Sequence, residues 1–181
     1  MSRPGLLILI VGPSGAGKDS LLAGARRALA DDPDVVFTRR VITRPADPDG
    51  EDHEPVTAAE FAVRAGTGQF LLRWSAHGNS YGIPIEAQDD LAAGAQVIAN
   101  VSRTVIAEAQ RLYPPVRVVE VTASPEILAE RLSGRGREDA DAVRARLARD
   151  VRLPPGTDPV RVVNDGTLKE GIEAFVNALR D

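Results

Sequence analysis

Leu6-Leu-Ile-Leu-Ile-Val11, followed at once by Gly12-Pro-Ser-Gly-Ala-Gly-Lys18-Asp-Ser20, is the stretch that decides the fold of this 181-residue chain. Six consecutive apolar residues without alternation fit a parallel strand covered on both faces. A glycine-rich turn follows, and residues 17–30 read as a helix. Outward from this unit, strand and helix patterns alternate. Strands are expected over 35–42, 70–75, 95–101, 116–121 and 160–163. Thr57-Ala-Ala-Glu60 and Thr167-Leu-Lys-Glu170 are capping boxes that open helices. Ser124-Pro-Glu126 reads as the start of another, running to Leu132. Further helices are expected over 103–112 and 139–151. Residues 81–84 read as a turn into a helix over 85–93, with Pro84 near its first turn. Residues 45–54 and 133–137 read as loops. The alternation predicts an α/β fold around a parallel sheet of about five strands with helices on both faces.

Length alone gives about one domain, and no linker divides the chain. Apolar residues make up 43% and charged residues 27%, which excludes disordered, collagen-like and coiled-coil classes. The net charge of −4 and pI near 5.3 lack the footprint of a nucleic-acid binder. The absence of cysteine excludes disulfides, thiolate metal sites and a cysteine nucleophile. His53 and His77 stand too far apart to suggest a zinc site. An apolar run of six residues is too short to span a membrane or to serve as a signal peptide, so the expected location is cytoplasmic.

Gly12 to Lys18 matches G-x-x-x-x-G-K. Glycines let successive backbone N–H groups converge on phosphate oxygens, and the following helix adds its positive end. Lys18 then reaches the β- and γ-phosphates. Only two lysines, Lys18 and Lys169, stand among 22 Lys and Arg, so lysine here is a rare choice. The position after the lysine, ordinarily a Mg2+-binding hydroxyl, is Asp19. Ser20 is the expected metal ligand. Asp19 is either a further carboxylate near the metal or a helix cap.

Val163-Asn164-Asp165-Gly166 is not the Asn-Lys-x-Asp motif of a GTPase, and Asn100-Val101-Ser102 lacks the carboxylate of an ATPase motor. A small kinase fits the length best. Thr43-Arg-Pro45, Gly78-Asn-Ser-Tyr-Gly82, Arg135-Gly-Arg137, Arg146-Leu147 and Val162-Val-Asn-Asp165 follow the phosphate loop in the order and spacing of guanylate kinases, which the chain resembles from about Leu6 onward. The resemblance implies a three-layer P-loop kinase domain over 1–181. It also implies an acceptor-binding insert over about 38–88 and a lid over about 133–139. Departures point to one branch of that family. Leu72 stands where guanylate kinases place the glutamate that reads guanine, Asp47 replaces an arginine, and His53 replaces a tyrosine. Asn100 and Ser102 replace the aspartates that end the metal-side strand. A site that loses its hydrogen-bonding carboxylate loses discrimination. Gly17-Lys-Asp-Ser-Leu21, Gly50-Glu-Asp-His53, Trp74-Ser-Ala-His-Gly78 and Tyr81-Gly-Ile-Pro84 resemble the ribose 1,5-bisphosphate phosphokinases of phosphonate catabolism.

That resemblance implies phosphoryl transfer from ATP, with Mg2+, to the 1-phosphate of ribose 1,5-bisphosphate, giving 5-phosphoribosyl 1-diphosphate and ADP. Lys18, Arg135 and Arg146 are then the catalytic candidates. Gly12, Pro13, Ser14, Gly15, Ala16, Gly17, Lys18, Asp19, Ser20, Arg137 and Asn164 are the nucleotide-binding ones. Arg44, His53, His77 and Tyr81 are the acceptor-binding ones. Arginine's planar fork suits phosphate. Arg39 and Arg40 are adjacent, so on a strand at most one faces the acceptor. Asn164 and Asp165 either meet the adenine or only shape a turn. Glu51 and Asp52 either bind ribose hydroxyls or only solvate their loop, and Trp74 reads as core. The expected partners are ATP and a small phosphorylated acceptor, with no nucleic acid and no membrane; a homodimer is left open. The alternatives are a divergent guanylate kinase and a non-catalytic guanylate-kinase-like binding module. Such modules typically lose the lysine that this chain keeps.

Overall fold

Every side chain from Leu7 to Val11 is fully buried, and the reason is the place of this strand in the sheet. The computed structural model describes residues 4–48, 50–134 and 152–181. In it β1 (Leu6–Val11) is the middle strand of a five-stranded parallel sheet. Its neighbours are β7 (Gln96–Asn100) and β8 (Val116–Thr122), with β2 (Val35–Phe37) and β9 (Val160–Val163) outermost. Successive side chains of a strand point to opposite faces. Ile8 and Ile10 therefore pack in one cluster with Leu21, Ala25, Phe175 and Leu179. Leu7, Leu9 and Val11 pack in a second, with Ile106, Ala109, Leu72 and Ile83. Two covered faces explain a strand with no polar alternation.

The first face is covered by α1 (Lys18–Ala28) and α6 (Leu168–Arg180), which approach so closely that a Cβ on Gly24 would lie 2.3 Å from Ile172. The second face carries α4 (Ile106–Leu112) and α3 (Ala87–Ala92). Both capping boxes form as expected, at Thr57 with Glu60 ahead of α2 (Ala58–Gly66) and at Thr167 with Glu170 ahead of α6. Each glutamate sits below the usual carboxylate range because it accepts the backbone and side-chain hydrogens of its threonine. Thr167→Ala should cost about 1 kcal/mol in a denaturant titration.

Residues 35–42 do not form one strand. The chain leaves the large sheet after β2, with Thr38 N–H still donating to Ile98 O at 2.9 Å, and enters a second sheet as β3 (Val41–Ile42). The polar residues between are held elsewhere: Arg39 pairs with Asp52, and Arg40 with Glu51. The second sheet has the order β4-β3-β6-β5, where β4 is Glu54–Pro55, β5 is Phe70–Ala76 and β6 is Asn79–Pro84. Residues 81–84 are therefore strand rather than a turn into a helix, and Pro84 closes β6 opposite Phe70. Tyr81 lies directly across from Trp74, and the rings stack at 5.5 Å. Gly82 lies under the Phe70 ring, where a Cβ would come within 2.4 Å of it. Aromatic cross-strand pairs of this kind override the local turn signal. Arg64 of α2 donates to Glu54 at 2.6 Å and holds its carboxyl below the usual range. What that pair adds is present at neutral pH and fades as the pH falls through the depressed folded value. Tyr113, just after α4, donates its hydroxyl to Leu71 O at 3.1 Å and ties β5 to the main body.

Helix α5 (Pro125–Ser133) begins where expected, but Ser124 does not cap it through its side chain. The expected helix over 139–151, with Arg146, and most of the lid, with Arg135 and Arg137, lie outside the described residues. No described helix is long and apolar enough to cross a membrane.

Candidate active site

The turn between β1 and α1 is shaped by glycines that nothing else could replace. Gly12 has φ 149°, and a Cβ there would stand 2.0 Å from Val121 O on the neighbouring strand. Gly17 has φ 89° and is the N-cap of α1, with no side chain capping the helix. A Cβ on Gly17 would meet the Asn164 amide nitrogen at 2.5 Å. The first-turn N–H groups of an eleven-residue helix thus stay available to an anion. Lys18 opens the helix, and its Nζ donates to Gly12 O at 2.6 Å and to Pro13 O at 3.1 Å. The ammonium is thereby folded over the turn that would hold the phosphates.

Asp19 and Ser20 are both exposed on the first turn of α1. Asp19 Oδ1 accepts a long hydrogen bond, 3.4 Å, from Nδ2 of Asn100, the last residue of β7. The carboxylate and the carboxamide therefore meet at the C-terminal edge of the sheet, beside the phosphate turn. A donor set of one carboxylate, one amide oxygen and one hydroxyl suits Mg2+, which is usually held by one or two carboxylates plus substrate phosphates. No group of three or more His, Asp and Glu side chains forms a self-sufficient metal site among the described residues.

Under the turn lies a residue that the sequence reading passed over. Arg131 of α5 donates to Gly15 O at 3.3 Å, Ala16 O at 3.4 Å and Asn164 O at 2.8 Å. Asn164, buried at the end of β9, donates from its amide to Ala16 O at 2.8 Å. Asp165 accepts from Ser124 N–H at 2.7 Å. Arg131, Asn164 and Asp165 thus lock α5 and the β9–α6 turn against the phosphate loop. The only hint in the sequence was the position of Arg131, four residues before Arg135. A chain so rich in arginine hides such a residue. Arg131→Ala removes three hydrogen bonds from a charged donor and should destabilise the protein by about 2–4 kcal/mol, with a raised KM for ATP. Arg131→Lys should not rescue it, because an ammonium cannot span three carbonyls in a plane.

The second sheet holds the acceptor candidates. Arg40 is the inward member of the Arg39–Arg40 pair. It and Glu51 form an ion pair in which each side chain is only 14% exposed. The Arg40 guanidinium lies over the Tyr81 ring, 5.2 Å from its centroid, and Tyr81 in turn stacks on Trp74. Arg39 faces solvent beside Asp52. Arg44 follows β3, and its Nε is buried with no hydrogen-bond partner among the described residues. His53 is buried at 2% exposure. His77 sits exposed at the tip of the β5–β6 hairpin with φ 50°. The structure therefore gathers Arg40, Arg44, His53, Glu51 and Tyr81 around one end of the small sheet, and leaves His77 at the tip of its hairpin. Leu72 is 1% exposed and belongs to the apolar core behind the sheet.

No family model matches the chain. A ribose 1,5-bisphosphate phosphokinase PhnN of Acidiphilium cryptum (strain JF-5) is 54% identical over 179 residues, covering 99% of this chain and 94% of the relative. One of Brucella melitensis biotype 2 (strain ATCC 23457) is 46% identical over 178 residues, covering 98% and 93%. A bifunctional ribose 1,5-bisphosphokinase-thymidine phosphorylase of Cupriavidus pinatubonensis (strain JMP 134 / LMG 1197) is 50% identical over 182 residues. There the chain spans only 30% of the relative's length. Among solved structures, a guanylate kinase from Anaplasma phagocytophilum superposes with a TM-score of 0.69 at 20% identity, covering 99% of this chain and 86% of that one. A gluconokinase from Sinorhizobium meliloti 1021 gives 0.52 at 18%, covering 99% and 94%. The kinase fold is thus shared with guanylate kinase, and by near full-length identity the chain belongs to the ribose 1,5-bisphosphate phosphokinase family.

Proposed function

We propose that this chain transfers the γ-phosphoryl group of ATP to the 1-phosphate of ribose 1,5-bisphosphate, yielding 5-phosphoribosyl 1-diphosphate and ADP. The observation that carries this reading is the near full-length identity to phosphokinases of that name, joined to an intact phosphate loop with Lys18 folded over it. An oxygen of the acceptor's 1-phosphate attacks the γ-phosphorus. The bond to the β–γ bridging oxygen breaks, and its electron pair leaves on ADP. Such a reaction needs positioning and charge neutralisation rather than covalent catalysis.

Gly12 to Gly17 offer backbone N–H groups to the phosphates, and Lys18 exchanges its contacts to Gly12 O and Pro13 O for phosphate oxygens. Bound with the nucleotide, Mg2+ supplies charge neutralisation at the β- and γ-phosphates. Ser20, Asp19 and Asn100 are the residues that would hold it. Asn164 acts by shaping the loop, since its amide is committed to Ala16 O. Arg44 offers its unpartnered Nε to an acceptor phosphate, and Tyr81 presents the polar end of a ring fixed between Trp74 and Arg40. His77, exposed at the hairpin tip, is the remaining acceptor-binding candidate. Arg135 and Arg146 remain the catalytic candidates and Arg137 a nucleotide-binding one; all three lie outside the described residues.

The test is ADP release from Mg-ATP with ribose 1,5-bisphosphate and, separately, with GMP, with the sugar diphosphate followed directly. Turnover on the ribose compound is expected, with kcat/KM for GMP at least about 100-fold lower, because Leu72 stands where the guanine-reading glutamate of guanylate kinases would. Turnover on GMP alone would establish a divergent guanylate kinase instead. Failure to bind ATP would point to a non-catalytic binding module.

A further inference from the structure

We propose that His53 is a positioning residue for the acceptor phosphate, acting through Arg44 rather than by touching the acceptor. This rests on the reading that Arg44 holds an acceptor phosphate. The His53 ring is buried, and both its nitrogens face backbone carbonyls: Nδ1 lies 3.0 Å from Glu51 O and Nε2 lies 2.9 Å from Arg44 O. Carbonyl oxygens only accept, so whichever ring nitrogens carry hydrogen, none is left to donate to a ligand. The ring thus sits between the carbonyls of residues 44 and 51, and with its hydrogen on Nε2 it donates to Arg44 O.

Arg44 needs such a pin. Strand β3 ends at Ile42, and Thr43 is still held, its N–H donating to Ser80 O at 3.1 Å and its hydroxyl accepting from Ser80 N–H at 2.8 Å. Arg44 lies beyond those contacts, and Pro45 behind it has no N–H to offer. The bond from His53 fixes the Arg44 carbonyl, and with it the backbone from which the guanidinium projects. The same segment is laced to β3 around His53. Glu54 N–H donates to Arg40 O at 2.8 Å, Val56 N–H donates to Ile42 O at 3.0 Å, and Arg39 Nη2 donates to His53 O at 3.1 Å. Glu51, whose carbonyl takes the other face of the ring, is the partner of Arg40. One imidazole, packed between residues 44 and 51, therefore sets the backbone at the Arg44 position beside the Arg40–Glu51 pair. Buried side chains whose hydrogen bonds go only to backbone orient functional groups without contacting the ligand.

The experiment is a double-mutant cycle of His53→Phe and Arg44→Ala, run on whichever of ribose 1,5-bisphosphate or GMP the wild-type enzyme turns over. Choosing the acceptor this way separates an error about the substrate from an error about His53. His53→Phe should raise the acceptor KM about 10- to 100-fold, as expected for loss of one to two buried hydrogen bonds, with the KM for ATP changed less than about twofold. In the Arg44→Ala background the same substitution should add less than about twofold, because the residue it positions is gone. Full multiplication of the two effects, or equal losses toward ATP and acceptor, would overturn the proposal and leave His53 as a fold-stabilising residue only. An Arg44→Ala variant with a wild-type acceptor KM would overturn it too. If His53→Phe does not fold, His53→Gln takes its place. It keeps one donor for the Arg44 carbonyl and should show an intermediate acceptor KM that again vanishes without Arg44.

Discussion

Lys18→Ala should lower kcat by at least about 10³-fold while the protein stays folded. Removing one preorganised donor from a developing charge costs about 10²- to 10³-fold, and here a full positive charge goes with it. Within the fold Lys18 donates to Gly12 O and Pro13 O. Losing those should lower stability by about 1 kcal/mol, a Tm change of about 2–4 °C for a chain of this length. Single-turnover ADP formation together with a thermal melt checks both halves. Near-normal turnover in this variant would mean that the Gly12–Lys18 turn is not the phosphate site.

Leu72→Glu should be the most damaging single substitution to stability, costing about 3–5 kcal/mol, because it leaves an unpaired carboxylate in an apolar interior. Leu72 is 1% exposed and packs with Leu71, Ile83, Val105 and Ile106. Burial disfavours the charged form, so the folded-state value of the new carboxyl is raised above its unfolded one. The cost is then greatest at neutral pH and shrinks below about pH 4, where both states hold the proton. Leu72→Gln serves as the neutral control. Turnover of ribose 1,5-bisphosphate should not improve in either variant. Urea denaturation at two pH values, alongside acceptor kinetics, reads the effect. A stable Leu72→Glu enzyme with gained GMP activity would show that this position opens onto the acceptor site.

The placement of Leu72 also marks where residue patterns stop informing. The run from Leu6 to Val11 needed no partner to be read as a two-faced strand, since its apolarity is continuous and both faces are buried by α1 and α6 on one side and α4 on the other. The glycines and Lys18 declared their turn by local conformational need, and the capping boxes declared two helix starts within four residues each. Family membership was legible for the same reason, because the quoted motifs are short and contiguous.

Long-range partners decided the rest. Val35 to Ile42 splits between two sheets because Arg39 and Arg40 are satisfied by Asp52 and Glu51, more than ten positions away, which no periodicity records. Tyr81 to Pro84 extends rather than turns because Trp74 lies across from it. Arg40 was chosen over Arg39 as the inward arginine by the Tyr81 ring and the Glu51 carboxylate. Arg131 became a brace only when α5 folded against the phosphate loop, and His53 a clasp only when residues 44 and 51 were brought to either side of its ring. The sequence by itself determined what depends on neighbours along the chain: the central strand, the phosphate turn, the helix starts and the family. Only the tertiary structure decided which polar side chains are spent on the backbone and which are not, because a hydrogen bond is settled by the partner that folding delivers.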